Sequence, residues 1–262
     1  MNDIDYRLVD NVAWIMMNRP EVLNALSKSM FRNLRKALAG ATGDGRVDFI
    51  VIKGRGSAFS AGLDIKEVGG FKSKAEAKKF VYDLVKPFWD QLFDCDKPVI
   101  SAVNGPAYGA GAEIALASDI VVASTKATIA FSGGRVGALC CISPILGPLL
   151  ANGRAVVEMN LTGRPVSAKE AQQMGLVNYV VPLAELDSAT NRVVRSLLNV
   201  SPISNASFKR ILKAAITRRL LDTAYDQLFR TITSPDFRKG SASFVAKRLP
   251  AYYRGRVSRY LA

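Results

Sequence analysis

Apolar residues recur along the chain in two patterns, short dense runs and runs with helical spacing. The dense runs predict strands, and the helical spacing predicts helices, as where Met30, Phe31, Leu34 and Leu38 share one helical face. The predicted strands are 11–19, 47–54, 97–105, 119–124, 127–131 and 176–182. The predicted helices are 27–40, 73–94, 110–118, 154–161, 167–174 and most of the chain from about 183. Strands that alternate with helices favour an α/β fold with largely parallel pairing.

Positive charge is concentrated towards the end of the chain. The net charge is +14, and residues 207–262 contain 13 Lys and Arg residues against three Asp residues. We predict an α/β core over residues 1–195 and a helical, basic C-terminal segment over residues 196–262. A solvated helical surface explains such a charge, and so does a surface for a phosphorylated cofactor or nucleic acid.

Composition excludes several kinds of catalytic and metal site. The sequence contains no histidine, so Ser-His-Asp triads, Cys-His pairs and HExxH zinc sites cannot form within this chain. It also lacks a CxxC pattern, and we expect no metal site. Acid–base catalysis is therefore left to Asp, Glu, Lys, Tyr or Cys.

Cysteine usage and the start of the sequence bear on the cellular compartment. The polar, acidic start lacks the features of a secretory signal, and three cysteines are typical of a reducing cytosol. The uncharged run 136–153 is interrupted by glycines and prolines, which predicts a buried turn and helix rather than a membrane span. We expect a cytoplasmic protein without membrane contact.

Two loops rich in small residues could bind an anion through backbone N–H groups. The first loop, "SAFSAGLDIK" (57–66), turns at a glycine, which lets a ligand approach the backbone closely. The second loop, "NGPAYGAGAEIALAS" (104–118), leads into a short apolar helix that begins near Ala110. A helix start offers unpaired N–H groups and the positive end of the helix dipole. Such loops are also common in α/β proteins without any ligand.

Glu113 is an isolated carboxylate in the first turn of that apolar helix. In one interpretation the carboxylate only interacts favourably with the helix dipole. In the other it is catalytic, because burying an unpaired carboxylate is costly and such groups often have raised pKa values and functional roles. The residues alone favour the two interpretations equally.

Several motifs, in order along the chain, resemble those of the enoyl-CoA hydratase/isomerase (crotonase) family. They are "NRPEVLNAL", "AFSAGLDIKE", "KPVISAVNGPAYGAGAEIALASDI", "LTGRPVSAKEAQQMGLVN" and "SASFVAKR". The resemblance implies a spiral of β-β-α turns followed by a C-terminal helical segment for trimer formation. It also implies an acyl-CoA thioester as ligand, a homotrimer or a hexamer of two trimers, and no separate cofactor. Nucleic acid is not the expected partner.

The resemblance also implies a role for each residue that matches a family motif. Glu113 is implied as catalytic, and the backbone N–H groups of Leu63 and Ala110 as an oxyanion hole for the thioester oxygen. Ala110 replaces the family's usual glycine but keeps the backbone donor. The implied coenzyme A contacts are Ala61, Leu63, Asp64, Ile65, Lys66, Phe244 and Lys247, the last two often acting across a subunit interface in relatives.

The segment "FSGGRVGALCCISPILGPLL" (131–150) departs from the family pattern. Typical hydratases carry a second glutamate here, and counting from Phe131 puts Arg135 in its place. Arginine cannot act as a base, and an Arg135 side chain directed at Glu113 would lower the pKa of that carboxyl group. We therefore expect weakened hydration unless another group substitutes. The candidates for that group are Cys140, Cys141, Ser132, Ser143 and Tyr108.

The function that follows is an enoyl-CoA hydratase, which adds water to a 2-enoyl-CoA thioester, with an atypical active site. The altered segment leaves open another thioester-enolate reaction, namely isomerisation, decarboxylation or hydrolysis. The positive charge leaves open a non-catalytic protein that binds acyl-CoA or RNA. In comparable isomerases the base matches the missing second glutamate, which counts against isomerisation.

Overall fold

The computed structural model describes residues 3–252 except 215, 217, 249 and 251. The strands are β1 (Ile4–Val9), β2 (Val12–Met17), β3 (Phe49–Gly54), β4 (Val99–Val103), β5 (Ala107–Tyr108), β6 (Ile120–Ser124), β7 (Thr128–Ala130), β8 (Val166–Ser167) and β9 (Tyr179–Val181). A six-stranded sheet has the order β1-β2-β3-β4-β6-β9, and a three-stranded sheet has the order β5-β7-β8. In the larger sheet only β1 and β2 pair antiparallel, which confirms the predicted parallel character.

Helices fill the connections between the strands. They are α1 (Lys28–Gly43), α2 (Ile65–Gly69), α3 (Lys74–Lys79), α4 (Lys86–Asp94), α5 (Ala110–Ala117), α6 (Ser143–Leu150), α7 (Gly153–Thr162), α8 (Ala168–Gln173), α9 (Leu186–Leu197), α10 (Pro202–Ala214), α11 (Arg218–Ile232) and α12 (Pro235–Val245). Sequence patterns missed β1, β5, β8 and α2. The predicted helix 73–94 is helical throughout from Lys74, but a π-helical segment, Phe80–Val85, separates α3 from α4.

The two faces of the larger sheet are covered differently. Helix α9 covers one face, where its Leu186 and Val194 pack with Val51 and Val122 of the strands. The other face belongs to the main core, which includes Phe31 of α1 and the aromatic residues of the helix 74–94. The ring of Phe31 meets those of Phe80 and Phe88 edge to face, at centroid distances of 5.8 and 5.5 Å. This packing fixes α1 against the helix 74–94.

The C-terminal helices pack onto the spiral. Tyr225 and Leu228 of α11 and Phe237 of α12 are buried in the main core. Lys209 of α10 is also buried, where its ammonium group bonds to the Asp119 carboxylate and to the Lys97 carbonyl oxygen at 2.7 Å. A buried lysine of this kind requires such partners, because an unpaired buried charge is costly. The division of the chain at 195 and 196 stays a prediction.

Candidate active site

The two glycine loops meet at Gly62 and Gly109. Gly62 has a φ of +85°, and a Cβ atom there would lie 2.6 Å from the Tyr108 carbonyl oxygen and 3.2 Å from the Ala110 nitrogen. Gly109 has a φ of +52° and lies in the same contact. Only glycine fits at Gly62, because any side chain would collide with the facing backbone. The Tyr108 amide donates to the Ser60 carbonyl oxygen at 2.9 Å, which holds the loops together.

This approach brings two backbone N–H groups to the same place. Ala110 is the first residue of α5, so its N–H has no partner within the helix. The N–H of Leu63 follows the turn at Gly62, and among the described residues neither group donates to a protein acceptor. The neighbouring amides are occupied, since Ala61 donates to the Leu23 carbonyl oxygen at 2.9 Å and Gly62 to the Ser60 hydroxyl at 3.2 Å. Two unpaired donors on facing loops are suited to hold one oxyanion.

Glu113 lies one turn along α5 from Ala110 and is 2% exposed. Its Oε1 accepts two backbone hydrogen bonds from the start of α6, at 2.6 Å from Ile142 and 2.9 Å from Ser143. The Ser143 hydroxyl donates to Oδ1 of Asn160 on α7 at 2.8 Å. The carboxylate therefore serves as a cap for α6, a structural role in addition to any chemical one.

Burial raises the pKa of Glu113 to about 7, although the N–H donors of Ser143 and Ile142 act in the opposite direction. Desolvation of the buried carboxylate therefore outweighs these hydrogen bonds. A carboxyl group with this pKa exchanges protons readily in both directions near neutral pH.

A cavity of about 500 Å³ opens beside these groups. Glu113, Leu63 and Ala110 line it, so the carboxyl group and the residues that carry the two free amides share one space. Apolar side chains from α1, the helix 74–94 and α11 form much of the wall, and sequence patterns did not identify them as a pocket. They include Phe31, Val85, Trp89 and Leu228. The wall suits the apolar part of a ligand, with a few polar groups that fix its orientation.

A family model for enoyl-CoA hydratase/isomerase matches residues 7–255. The chain belongs to this family. The mitochondrial enoyl-CoA hydratase of Pongo abelii is 32% identical over 244 residues, which cover 91% of this chain and 82% of that protein. The mitochondrial enoyl-CoA hydratase domain-containing protein 3 of Rattus norvegicus is 30% identical over 258 residues, which cover 94% of this chain and 83% of that protein.

Solved structures of family members have the same fold. A carnitinyl-CoA hydratase from Mycobacterium avium superposes with a TM-score of 0.82 at 27% identity, covering 97% of this chain and 99% of that one. An enoyl-CoA hydratase from Mycobacterium avium subsp. paratuberculosis K-10 gives a TM-score of 0.80 at 29% identity, covering 95% of this chain and 97% of that one. The prediction of a crotonase-type fold is confirmed. Enzymes of this family act on acyl-CoA thioesters. Trimer and hexamer formation stays a prediction.

Most of the residues that matched the family's coenzyme A motifs come together at this cavity. The residues that line it are Ala61, Leu63, Asp64, Ile65, Lys66 and Phe244. Phe244 lines the cavity of its own subunit. Lys247 does not line the cavity. Its backbone is in the left-handed region, with a φ of 52°.

Arg135 does not face Glu113, contrary to the arrangement that the spacing suggested. It lies in a 3₁₀ segment, Ser132–Val136, and its exposed side chain packs on Gly163 at the end of α7. Ser132 and Gly133 line the cavity instead. The condition for a lowered Glu113 pKa is therefore not met, and burial raises the pKa of this group instead. No side chain is available at Gly133 for acid–base chemistry.

The candidate substitutes for a second acid–base group occupy different positions. Cys140, Cys141, Ser132 and Tyr108 line the cavity, whereas the Ser143 hydroxyl bonds to Asn160. Burial, together with the nearby Glu113 carboxylate, raises the pKa of both thiols well above its usual range. Both cysteines are therefore protonated at neutral pH.

Two further features bear on the predicted partners. In the part of the chain that the structure describes, no helix is long and apolar enough to cross a membrane. Among the same residues, no group of three or more Cys, Asp or Glu side chains could hold a metal ion. Cytoplasmic location stays a prediction. The relatives from Pongo abelii and Rattus norvegicus both carry the word mitochondrial in their names.

Proposed function

We propose that the protein is a 2-enoyl-CoA hydratase in which Glu113 is the single acid–base group. One observation supports this most strongly: a buried carboxyl group with a pKa of about 7 lines the same cavity as the residues of the two free amides. An arrangement of this kind suits a reaction in which negative charge develops on an oxygen while a proton moves nearby.

In the proposed reaction the amides of Leu63 and Ala110 hold the thioester oxygen. Glu113, in its ionised form, takes a proton from water as the hydroxyl oxygen bonds to the β-carbon. The carbon–carbon π electrons move towards the thioester and give an enolate, whose charge the two amides stabilise. Glu113 then returns the proton to the α-carbon, so that one water molecule is added and the carboxylate is regenerated. A pKa near neutrality makes one group competent in both steps.

Coenzyme A recognition is proposed at the mouth of the cavity. Lys66 is the cation among the matched lining residues and suits the phosphates, while Ile65 and Phe244 suit the adenine and pantetheine parts. Asp64 is engaged, since it caps α2 and pairs with Arg19 at 3.2 Å. It therefore supports the loop rather than contributing a free base.

A hydration assay tests this proposal. Crotonyl-CoA loses its enoyl absorbance on hydration, and we expect turnover by the wild-type protein but a loss of about 10²–10⁴ in rate for Glu113→Gln. Equal rates for the two proteins would refute the catalytic assignment. The absence of turnover by wild type with crotonyl-CoA and longer 2-enoyl-CoA substrates would refute hydration.

A second candidate is another thioester-enolate reaction that needs no positioned water. The observation in its favour is that Gly133 offers no second carboxylate, and the other acids on the cavity wall are Glu21 and Asp64. A saturated acyl-CoA in D₂O distinguishes the two functions. Exchange of the α-protons, observed by proton NMR, without hydration of any 2-enoyl-CoA would favour this second function.

A further inference from the structure

An unbalanced basic surface lies beside the cavity on two adjacent helical stretches, α1 and residues 72–85. These stretches contain eight Lys and Arg residues and two acidic residues, Glu76 and Asp83. Seven of the cations are exposed. We call them the basic face: Arg32, Arg35, Lys36, Lys72, Lys74, Lys78 and Lys79.

The two stretches that carry the basic face lie side by side. Lys28 at the start of α1 pairs with Glu76 of α3 at 2.8 Å, which neutralises the one acid of that helix. Further along, Arg32, Arg35 and Lys36 share a groove of about 300 Å³ with Leu84 and Gln91. Among the described residues, none of the seven cations of the basic face forms an ion pair. Asp83 is the remaining acid of the two stretches, so the basic face keeps an excess of positive charge.

The basic face adjoins the cavity. The buried ring of Phe31 separates the groove from the cavity and lines both. Helix α2, which contributes Lys66 to the cavity, is joined to α1 by the Glu67 carboxylate, which accepts from the Lys28 amide at 2.8 Å. A partner bound to this face would therefore be within reach of the same cavity.

The chemistry of the face limits the partner. Among the described residues of α1 and of 72–85, no large hydrophobic residue is exposed, whereas Val22, Leu23 and Phe244 at the cavity are exposed. A membrane surface usually requires apolar anchors beside the cations, and single-stranded nucleic acid requires exposed aromatic rings for stacking. An acidic protein surface requires neither, because charge complementarity alone steers the encounter.

We propose that this face docks an acidic carrier protein, which presents its acyl group as a thioester on a phosphopantetheine arm. This inference rests on the proposed function, in that the cavity takes an acyl thioester. The arm would carry the thioester to the amides of Leu63 and Ala110, while the acidic surface of the carrier engages the basic face.

The test compares two forms of one substrate. Crotonyl-CoA and the same acyl group on a purified acidic acyl carrier protein are assayed with wild type and with the charge-reversal variant R32E/R35E/K36E. We expect kcat/KM for the carrier form to fall at least about tenfold in the variant and to decrease steeply with added salt, with less than about a twofold change for crotonyl-CoA. The matched control is R192E/R195E, which reverses exposed cations of α9 and should leave both substrates unaffected.

Binding separates failure of this inference from failure of the proposed function. Fluorescence anisotropy of the labelled acidic carrier, bearing a saturated butyryl thioester, measures docking without any turnover. We expect binding by wild type and by the α9 control, and loss of binding by the α1 variant. Turnover of crotonyl-CoA without binding of the carrier would overturn the docking site alone. Binding that is equal in all three proteins would also overturn it.

Discussion

The backbone amide of Ser143 donates to Oε1 of Glu113 across a distance of 2.9 Å. This bond joins the start of α6 to the first turn of α5, and the Ile142 amide reinforces it at 2.6 Å. The carboxyl group is therefore both a cap and the candidate acid–base group. The two roles are separable, because glutamine can cap the helix but cannot transfer the proton.

Substitution of Glu113 should separate capping from chemistry. Glu113→Gln keeps an acceptor oxygen for the two amides, so we expect little change in the free energy of unfolding near pH 5, where the wild-type carboxyl group is protonated. Glu113→Ala leaves both buried N–H groups without an acceptor and should cost about 1–3 kcal/mol. Both variants should lose about 10²–10⁴ in hydration rate. Chemical denaturation and the crotonyl-CoA assay measure the two effects. Equal destabilisation by Gln and Ala would contradict the capping role of a neutral acceptor.

The pH dependence of stability should reveal the raised pKa of Glu113. The folded pKa of about 7 exceeds the ordinary value of 4.5, so the folded protein binds this proton more tightly than the unfolded chain does. Its contribution to stability is present below the unfolded value and is lost as pH rises through the folded value. Relative to Glu113→Gln, wild type should lose about 1–3 kcal/mol between roughly pH 5 and pH 8. A difference that stays constant with pH would show an ordinary pKa.

The pH dependence of activity should follow the same group. If the ionised carboxylate accepts the proton of water, kcat/KM for crotonyl-CoA should rise with pH and level off above about 7. A rise centred near the ordinary glutamate pKa would argue that another environment, or another residue, controls the reaction.

Asn160 should act as a positioning residue for Glu113. Its Oδ1 accepts from the Ser143 hydroxyl at 2.8 Å, and its Nδ2 donates to the Val156 carbonyl oxygen at 2.9 Å. Asn160→Leu removes this support, so the amides that hold Glu113 should loosen. We expect kcat to fall about tenfold with little change in KM. The kinetic pKa should rise, because those amides lower it. Thr162→Val, at the exposed end of α7, is the control variant, and it should change neither kcat nor the kinetic pKa.

The sequence indicates much of this site, but not the contacts between distant segments. The small residues before Ala110 and the isolated Glu113 were sufficient to predict a helix start with a buried carboxylate. They could not identify Ile142 and Ser143 as its partners, because no local pattern links residues 29 and 30 positions apart. Likewise, the apolar wall at Trp89 and Leu228 reads as ordinary helical core until the tertiary packing is known.

Arg135 shows how motif counting fails where the local backbone is irregular. Counting from Phe131 gave Arg135 the place of a catalytic group, but the 3₁₀ turn directs this side chain to Gly163 and brings Gly133 to the cavity. Side-chain direction in so short a turn depends on the neighbouring segments rather than on spacing. The missing second glutamate therefore stays a prediction, and the count from Phe131 did not identify the residue that faces the cavity.

This placement changes the expected result of substitution in the segment. The spacing of the motif predicts that Arg135→Glu raises hydratase activity; with the side chain outside the cavity, we expect no more than about a twofold change. Gly133→Ala should lower activity, because its Cβ would lie 3.0 Å from the Cys140 nitrogen and 3.1 Å from its Sγ. Crotonyl-CoA kinetics of both variants check this. A marked gain for Arg135→Glu would restore the original assignment.

Leu228 should limit the length of the acyl chain. It lines the cavity from α11, whereas Leu221, on the same helix and similarly buried, does not. Truncation of either residue to alanine should cost about 2–5 kcal/mol in the free energy of unfolding. Only Leu228→Ala enlarges the space for substrate, so the kcat/KM ratio of 2-decenoyl-CoA to crotonyl-CoA should rise about tenfold in that variant alone. Leu221→Ala controls for general loss of stability. The same rise in both variants would mean that the ratio reflects a loosened core, and no rise in either would place the end of the acyl chain elsewhere in the cavity.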